Sequence, residues 1–223
     1  MTQGSFYIPN SERRFFMSPK LTDDRKEQRN RQILEAAEQV FIRKGYSAAS
    51  LKDIIEETGM SRGWIYLYYS TKEEIFEALL DHRDIEYEKD LERRLADSPT
   101  VWPVIRSLYE QQLDDLEQRG GGMMPAFYEY FLVGWRDPQR SELLQRRYDQ
   151  GVSRFEELLR IGVEQDEFAP AMDTLDIAKL AASLQEGIVT HAITIGVEKT
   201  NARMQFDALL RYLYELLLGR PTL

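Results

Sequence analysis

The sequence predicts an all-α protein. Apolar residues recur at spacings of three and four far more often than at two, no segment sustains the alternation of a strand, and glycine or proline interrupts the pattern at helix-sized intervals. About nine helices are expected, three short ones at the front and longer ones behind.

Ile33, Leu34, Ala37, Val40 and Phe41 form the stripe of a first helix that stops at Lys44-Gly45, where glycine suits the left-handed residue closing a helix. Ser50-Leu51-Lys52-Asp53 reads as an N-cap with an acidic residue at the third helical position. It opens a short helix with Leu51, Ile54 and Ile55 inward and Gly59 at its end. Ser61 caps another short helix running to Tyr69. Thr71-Lys72-Glu73-Glu74 is a capping box opening a longer helix, from 71 to about 96, with Ile75, Phe76, Leu79 and Leu80 inward. Later helices are expected at 100–119, 125–135, 138 to about 167, 174 to about 198 and 202–218. The breaks between them fall at Ser98-Pro99, Gly120-Gly121-Gly122, Asp137-Pro138 and Ala169-Pro170.

The chain has 223 residues, 43% of them apolar, which is enough for a sizeable core. It contains no cysteine, so disulfides, thiolate nucleophiles and thiolate-held metals are excluded. Only His82 and His191 offer imidazoles, and no metal or cofactor is expected. No stretch approaches the roughly 18 apolar residues of a membrane helix, and the first residues lack the apolar core of a signal peptide, so a cytoplasmic protein with no membrane partner is expected. The net charge of −9 is unevenly spread: residues 1–72 hold 12 Lys and Arg against 9 Asp and Glu, whereas residues 73–223 hold 17 against 29. A basic front on an acidic chain points to a polyanion as its partner. Lys20, Arg25, Lys26, Arg29 and Arg31 read as an arm ahead of the first helix. Residues 1–20 show no helical period and are expected to be a disordered extension, with Met17 as a second plausible start.

Two short helices joined through Thr58-Gly59-Met60-Ser61 have the dimensions of a helix-turn-helix over about 50–69. In that motif the second helix enters the DNA major groove with its N-terminal residues nearest the bases. Backbone N–H groups at the starts capped by Ser50 and Ser61 suit phosphate.

At these residues the chain resembles the tetracycline-repressor (TetR) family. The likeness runs through Ala37-Glu38-Gln39-Val40-Phe41, Lys44-Gly45-Tyr46, Ser50-Leu51-Lys52-Asp53-Ile54, Gly59-Met60-Ser61-Arg62-Gly63, Ile65-Tyr66-Leu67-Tyr68-Tyr69 and Lys72-Glu73-Glu74-Ile75. It implies a DNA-binding domain over 21–80 and an effector-binding and dimerisation domain over 81–223. It also implies that Ser50 and Lys52 touch phosphate and that Ser61, Arg62, Gly63 and Trp64 begin the recognition helix. By the same likeness the Tyr66 hydroxyl reaches phosphate, the Tyr68 ring faces DNA, and Lys72 holds the DNA backbone. Two positions depart from the family pattern. Trp64 stands where a small threonine is common, so its ring either contacts a thymine methyl or shields the groove, and Tyr69 replaces phenylalanine. On spacing alone, Ile65 and Tyr69 pack inward against Val40 and Ile54.

The last two long helices carry wide apolar stripes, Ile177, Leu180, Leu184 and Ile188 on one and Phe206, Leu209, Leu210, Leu213 and Leu217 on the other. They are expected to form half of an isologous dimer interface, as the resemblance also implies, the alternative being plain core. Trp102, Tyr109, Met123, Met124, Phe127, Tyr128, Phe131 and Trp135 crowd the middle helices. The resemblance implies a small-molecule pocket there, with Glu129 and Gln185 as polar contacts and Glu186 and His191 as weaker candidates, while a hydrophobic core is the plain alternative. The expected function is a homodimeric repressor on a palindromic operator, released by an effector. An enzyme is disfavoured, because no catalytic order of residues is visible and Gly120-Gly121-Gly122 lacks the Lys-Ser/Thr of a phosphate-cradling loop. A helical protein-interaction module and a ligand-independent regulator or activator are the remaining alternatives.

Overall fold

The computed structural model describes residues 23–219. The expected extension 1–20, the alternative start at Met17 and Lys20 of the arm lie outside them. Ten helices and no strand are present among the described residues: α1 (Asp23–Ala48), α2 (Leu51–Thr58), α3 (Arg62–Ile65), α4 (Lys72–Asp97), α5 (Trp102–Arg119), α6 (Met124–Gly134), α7 (Pro138–Glu164), α8 (Thr174–Ile195), α9 (Val197–Thr200) and α10 (Ala202–Leu217). The tenth arises because the helix expected to run to about 198 breaks at Gly196, beyond which a single turn forms α9.

α1 opens well before its apolar stripe, since its first turns are rich in Arg, Lys, Glu and Gln, all good helix formers. Arg25, Lys26, Arg29 and Arg31 therefore belong to this helix and are not an arm ahead of it. The break at its other end is at Gly45, with φ 75° and ψ 172°. The α2 cap forms as predicted: the Ser50 hydroxyl accepts from Asp53 N at 3.2 Å and the Asp53 carboxylate accepts from Ser50 N at 3.0 Å. At the start of α4 the Thr71 hydroxyl accepts from Glu74 N, but the Glu74 carboxylate takes the N–H of Ser70, one residue outside the predicted box. The N-terminus of α5 is capped from far away, by Glu167 accepting from Val101 N and from Trp102 N at 2.9 Å.

Two cores organise these helices. In the larger domain, Ile105, Tyr109 and Leu113 of α5, Leu158 and Leu159 of α7, Ile177 and Val189 of α8, and Phe206 and Leu213 of α10 pack together. The front core joins Ile33, Val40 and Phe41 of α1 to Ile54 of α2, Ile65 of α3 and Phe76 of α4, and it also takes in Ala126, Tyr130 and Phe131 of α6. Ring centroids of Tyr130 lie 4.7 Å from Tyr46, 4.8 Å from Phe76 and 5.0 Å from Phe131, the spacing of favourable aromatic pairs. Polar groups border this cluster. The Tyr46 hydroxyl donates to Glu73 at 2.7 Å, the Tyr130 hydroxyl donates to Glu77, and the Arg140 guanidinium sits 4.6 Å from the Tyr130 ring. Burial raises the pKa of both phenols and the neighbouring carboxylates raise it further, so both remain neutral donors.

α4 runs unbroken from the front core into the larger domain. There it is tied to α7 by ion pairs: Arg147 reaches Asp81 and Asp84 at 3.2 and 2.8 Å, and Arg154 reaches Asp84 and Glu88 at 3.4 and 2.6 Å. No helix among the described residues is long and apolar enough to cross a membrane.

Gly45→Ala introduces a side chain at a left-handed backbone position, with its Cβ only 2.4 Å from the Glu129 carboxylate. It is expected to destabilise the protein by about 1–3 kcal/mol in urea unfolding. Leu213 is 0% exposed, and Leu213→Ala is expected to cost about 2–5 kcal/mol in the same measurement.

Candidate nucleic-acid interface

Gly59 closes α2 in the left-handed conformation, with φ 64°, and turns the chain toward Ser61. Ser61 is the extended residue before α3, but its hydroxyl makes no capping bond. α3 itself is a single turn, and further turns carry it on: Tyr66 N donates to Arg62 O at 3.2 Å, and Tyr68 N and Tyr69 N both donate to Ile65 O at 2.9 Å. Ile65, 0% exposed, anchors the segment in the front core. Tyr69 turns the same way and its hydroxyl donates to Asn30 at 2.6 Å, so the inward pair is the one its spacing predicted.

The outward side keeps Ser61, Arg62 and Gly63 exposed, followed by Tyr66 at 49% and Leu67 at 73% exposure. Lys52 projects from α2 and pairs loosely with Glu56 of its own helix at 3.6 Å. Ser50 is exposed, yet its hydroxyl is held in the cap, where it donates to Asp53 at 2.8 Å. The Lys44 ammonium, 2.7 Å from Asp53, together with Ser50 holds that carboxyl down to about 2, so the cap stays charged at neutral pH.

Three of the predicted contacts sit differently. Trp64 is half-buried with the Arg29 guanidinium 4.6 Å from its ring centre, a cation–π stack joining α1 to α3. Tyr68 is half-buried against the front core. Lys72 folds back: its ammonium donates to Tyr46 O and Ala49 O, each at 2.9 Å, and lies 4.4 Å from the Tyr46 ring. It satisfies carbonyls at the end of α1. Leu67 was missed by sequence reasoning, although its place two residues after inward Ile65 already pointed it outward.

The expected effector cluster divides between the two cores. Tyr109 and Tyr128 are buried in the larger domain, with Trp102, Met124 and Phe127 packed at the edge of that core. Met123 and Phe131 belong to the front core, which Phe127 also touches. Trp135 is 57% exposed and stacked by Arg136, so it lines no interior. Glu129, expected beside a ligand, instead accepts from Ser47 N at 2.7 Å; the kink at Gly45 leaves that N–H without a helical partner. Gln185 is half-buried on α8. The Tyr128 hydroxyl is buried, facing Thr190 and Glu186 of α8. Burial raises its pKa and the nearby Glu186 carboxylate adds to the shift. Two surface clefts, of about 430 Å³ beside Arg29 and Met60 and about 420 Å³ over Met204 and Arg211, contain none of these aromatic residues.

Most of the residues expected at the interface lie inside one chain. Ile177, Ile188, Phe206, Leu209, Leu213 and Leu217 are all at most 7% exposed within one chain, because α5, α7, α8 and α10 need them as core. Leu180 and Leu210 are half-buried, and only Leu184, at 40%, faces outward. The outward face of these helices carries Leu184, Ile195 at 49% and Met204 at 52%, with the small residues Gly187 and Ala208 also exposed.

Family models match both the front and the larger part of the chain. Residues 33–79 match the model described as "Bacterial regulatory proteins, tetR family", and residues 104–203 match "Tetracyclin repressor-like, C-terminal domain". The chain is 37% identical over 185 residues to the uncharacterized HTH-type transcriptional regulator YfiR of Bacillus subtilis, a match spanning 83% of this chain and 90% of that protein. Among solved structures, reduced Escherichia coli NemR superposes with a TM-score of 0.70 at 16% identity, covering 88% of this chain and 100% of that one. The Thermus thermophilus FadR repressor, determined in complex with lauroyl-CoA, gives 0.63 at 20% identity, covering 86% and 97%. At such identities these two share the fold. With the recognition turn exposed, the α2 cap formed and both family models matched in order along it, the chain belongs to the tetracycline-repressor (TetR) family of DNA-binding, helix-turn-helix transcriptional regulators.

Proposed function

We propose that the protein is a cytoplasmic repressor without a catalytic activity of its own. It binds a palindromic operator as a homodimer and leaves it when a small molecule occupies the larger domain. The observation that carries this reading is the recognition segment itself: a single helical turn, anchored by buried Ile65, that keeps Ser61, Arg62 and Tyr66 in solvent. Ser50, Lys52, Ser61 and Tyr66 supply phosphate contacts, and Arg62 and Gly63 face the base edges. Trp64 and Tyr68 support the segment from its flank. Lys72 acts from behind, by holding the end of α1 in place.

One turn of helix offers few base contacts, so two copies related by a dyad are required. Half-sites about 34 Å apart then fix the separation that the two heads must keep. The exposed apolar face around Leu184, Ile195 and Met204 supports this pairing, and Gly187 and Ala208 within it let a second backbone approach closely. For the effector, the aromatic lining of the larger domain, with the buried Tyr128 hydroxyl facing Thr190 and Glu186 within it, supports a mostly apolar ligand with one polar group. A ligand releases DNA only by as much as it prefers the head spacing that does not fit the operator.

Selection of bound duplexes from a random pool is expected to return an inverted repeat, and a consensus with no dyad would overturn the dimeric reading. Arg62→Ala is expected to weaken that complex about tenfold or more, whereas Lys52→Ala weakens all duplexes alike and lowers the slope of log affinity against log salt by about one. Leu184→Arg is expected to yield monomers in sedimentation and to abolish operator binding while leaving the helical circular-dichroism spectrum unchanged.

A further inference from the structure

Leu67 is the most exposed large apolar side chain among the described residues, at 73%. A lone surface leucine ordinarily needs no explanation. This one sits on the segment that also presents Ser61, Arg62 and Tyr66, and the backbone bonds of that segment continue as a helical turn through Tyr69. At about 100° per residue, Leu67 points nearly opposite to Ile65, the residue that anchors the turn in the core. Gly63, one turn earlier, shares the same outward ridge; it is exposed, and a Cβ built there would meet nothing within 4 Å. The ridge aimed away from the protein is therefore a bare backbone followed by an isobutyl group. Trp64, the other apolar candidate on the segment, is half-buried beneath Arg29 and turned toward α1.

We propose that Leu67 is a specificity-determining residue, reading the C5-methyl group of a thymine in each half-site while Gly63 lets the duplex come close. This rests on the DNA-binding reading of the segment. The thymine methyl is the apolar group that the major-groove edges of unmodified base pairs present, and apolar side chains recognise it by contact. A projecting leucine on a polar docking face gains from water exclusion only where such a group meets it. It is also blind to phosphate, so its contribution is sequence-specific and insensitive to salt.

The test uses the full-length protein and the tightest duplex recovered from a random pool, with each thymine replaced in turn by deoxyuridine, which removes the methyl and nothing else. At least one thymine per half-site is expected to weaken wild-type binding about fourfold when replaced, and about fifteenfold when replaced in both half-sites. Leu67→Ala should bind the thymine and uracil duplexes equally and keep the wild-type salt slope. The side chain lies in solvent, so this variant folds, and its unfolding midpoint checks that. Uracil penalties that are absent, or that persist undiminished in Leu67→Ala, overturn the proposal while leaving DNA binding intact. Failure to recover any duplex overturns the reading beneath it.

Discussion

The DNA-reading end of this protein cannot close its own core. α1 to α4 bury Phe41, Tyr46 and Phe76 on one side only, and the remaining side is filled by Tyr130, Phe131 and Ala126 of α6. Tyr130 is 0% exposed and lies within 5 Å of three rings, so the front core and the larger domain share one aromatic centre. Protein interiors tolerate little mismatch in volume, and a shift of α6 therefore repacks the front or carries it along. Everything the recognition turn can do depends on this shared packing.

A second fastening has a different physical character. Beyond the aromatic centre, α4 is joined to α7 through Arg147 and Arg154 and a row of carboxylates, which hold at a distance and tolerate sliding better than interlocked rings. The combination gives a front that is fixed to α6 and more loosely held along α4. Glu129 adds a directed contact, taking the Ser47 N–H where the kink at Gly45 has interrupted the helix ladder. Tyr46–Glu73 and Tyr130–Glu77 close the rim, each phenol kept a neutral donor by burial.

The recognition segment is brief, and its orientation comes from neighbours. Ile65 pins it from below, Tyr69 ties it to Asn30, and Arg29 covers the Trp64 ring. Lys72 braces the same region by donating to the carbonyls of Tyr46 and Ala49 where α1 ends, which gives a family-like lysine an internal task. A site on so little secondary structure becomes stiff only through such lateral contacts, and side-chain entropy is lost in folding and not again on binding.

Sequence alone determined what local chemistry determines: the helical class, the cap at Ser50, the turn at Gly59, the inward set Ile54, Ile65 and Phe76, and the family. Each follows from periodicity or from hydrogen bonds spanning three or four residues. Tertiary structure decided which of two apolar stripes is used inside. Leu213 and Leu184 both read as pairing surface, with core as the alternative, but a helix wide enough for two contacts has one face taken by its own domain, and only packing shows which. It likewise decided that Glu129 serves α1, that Trp64 lies under Arg29, and that Glu167 caps α5 from 65 positions away. These pairings join residues far apart in the chain, and no local pattern encodes the side of a helix that a distant partner will approach.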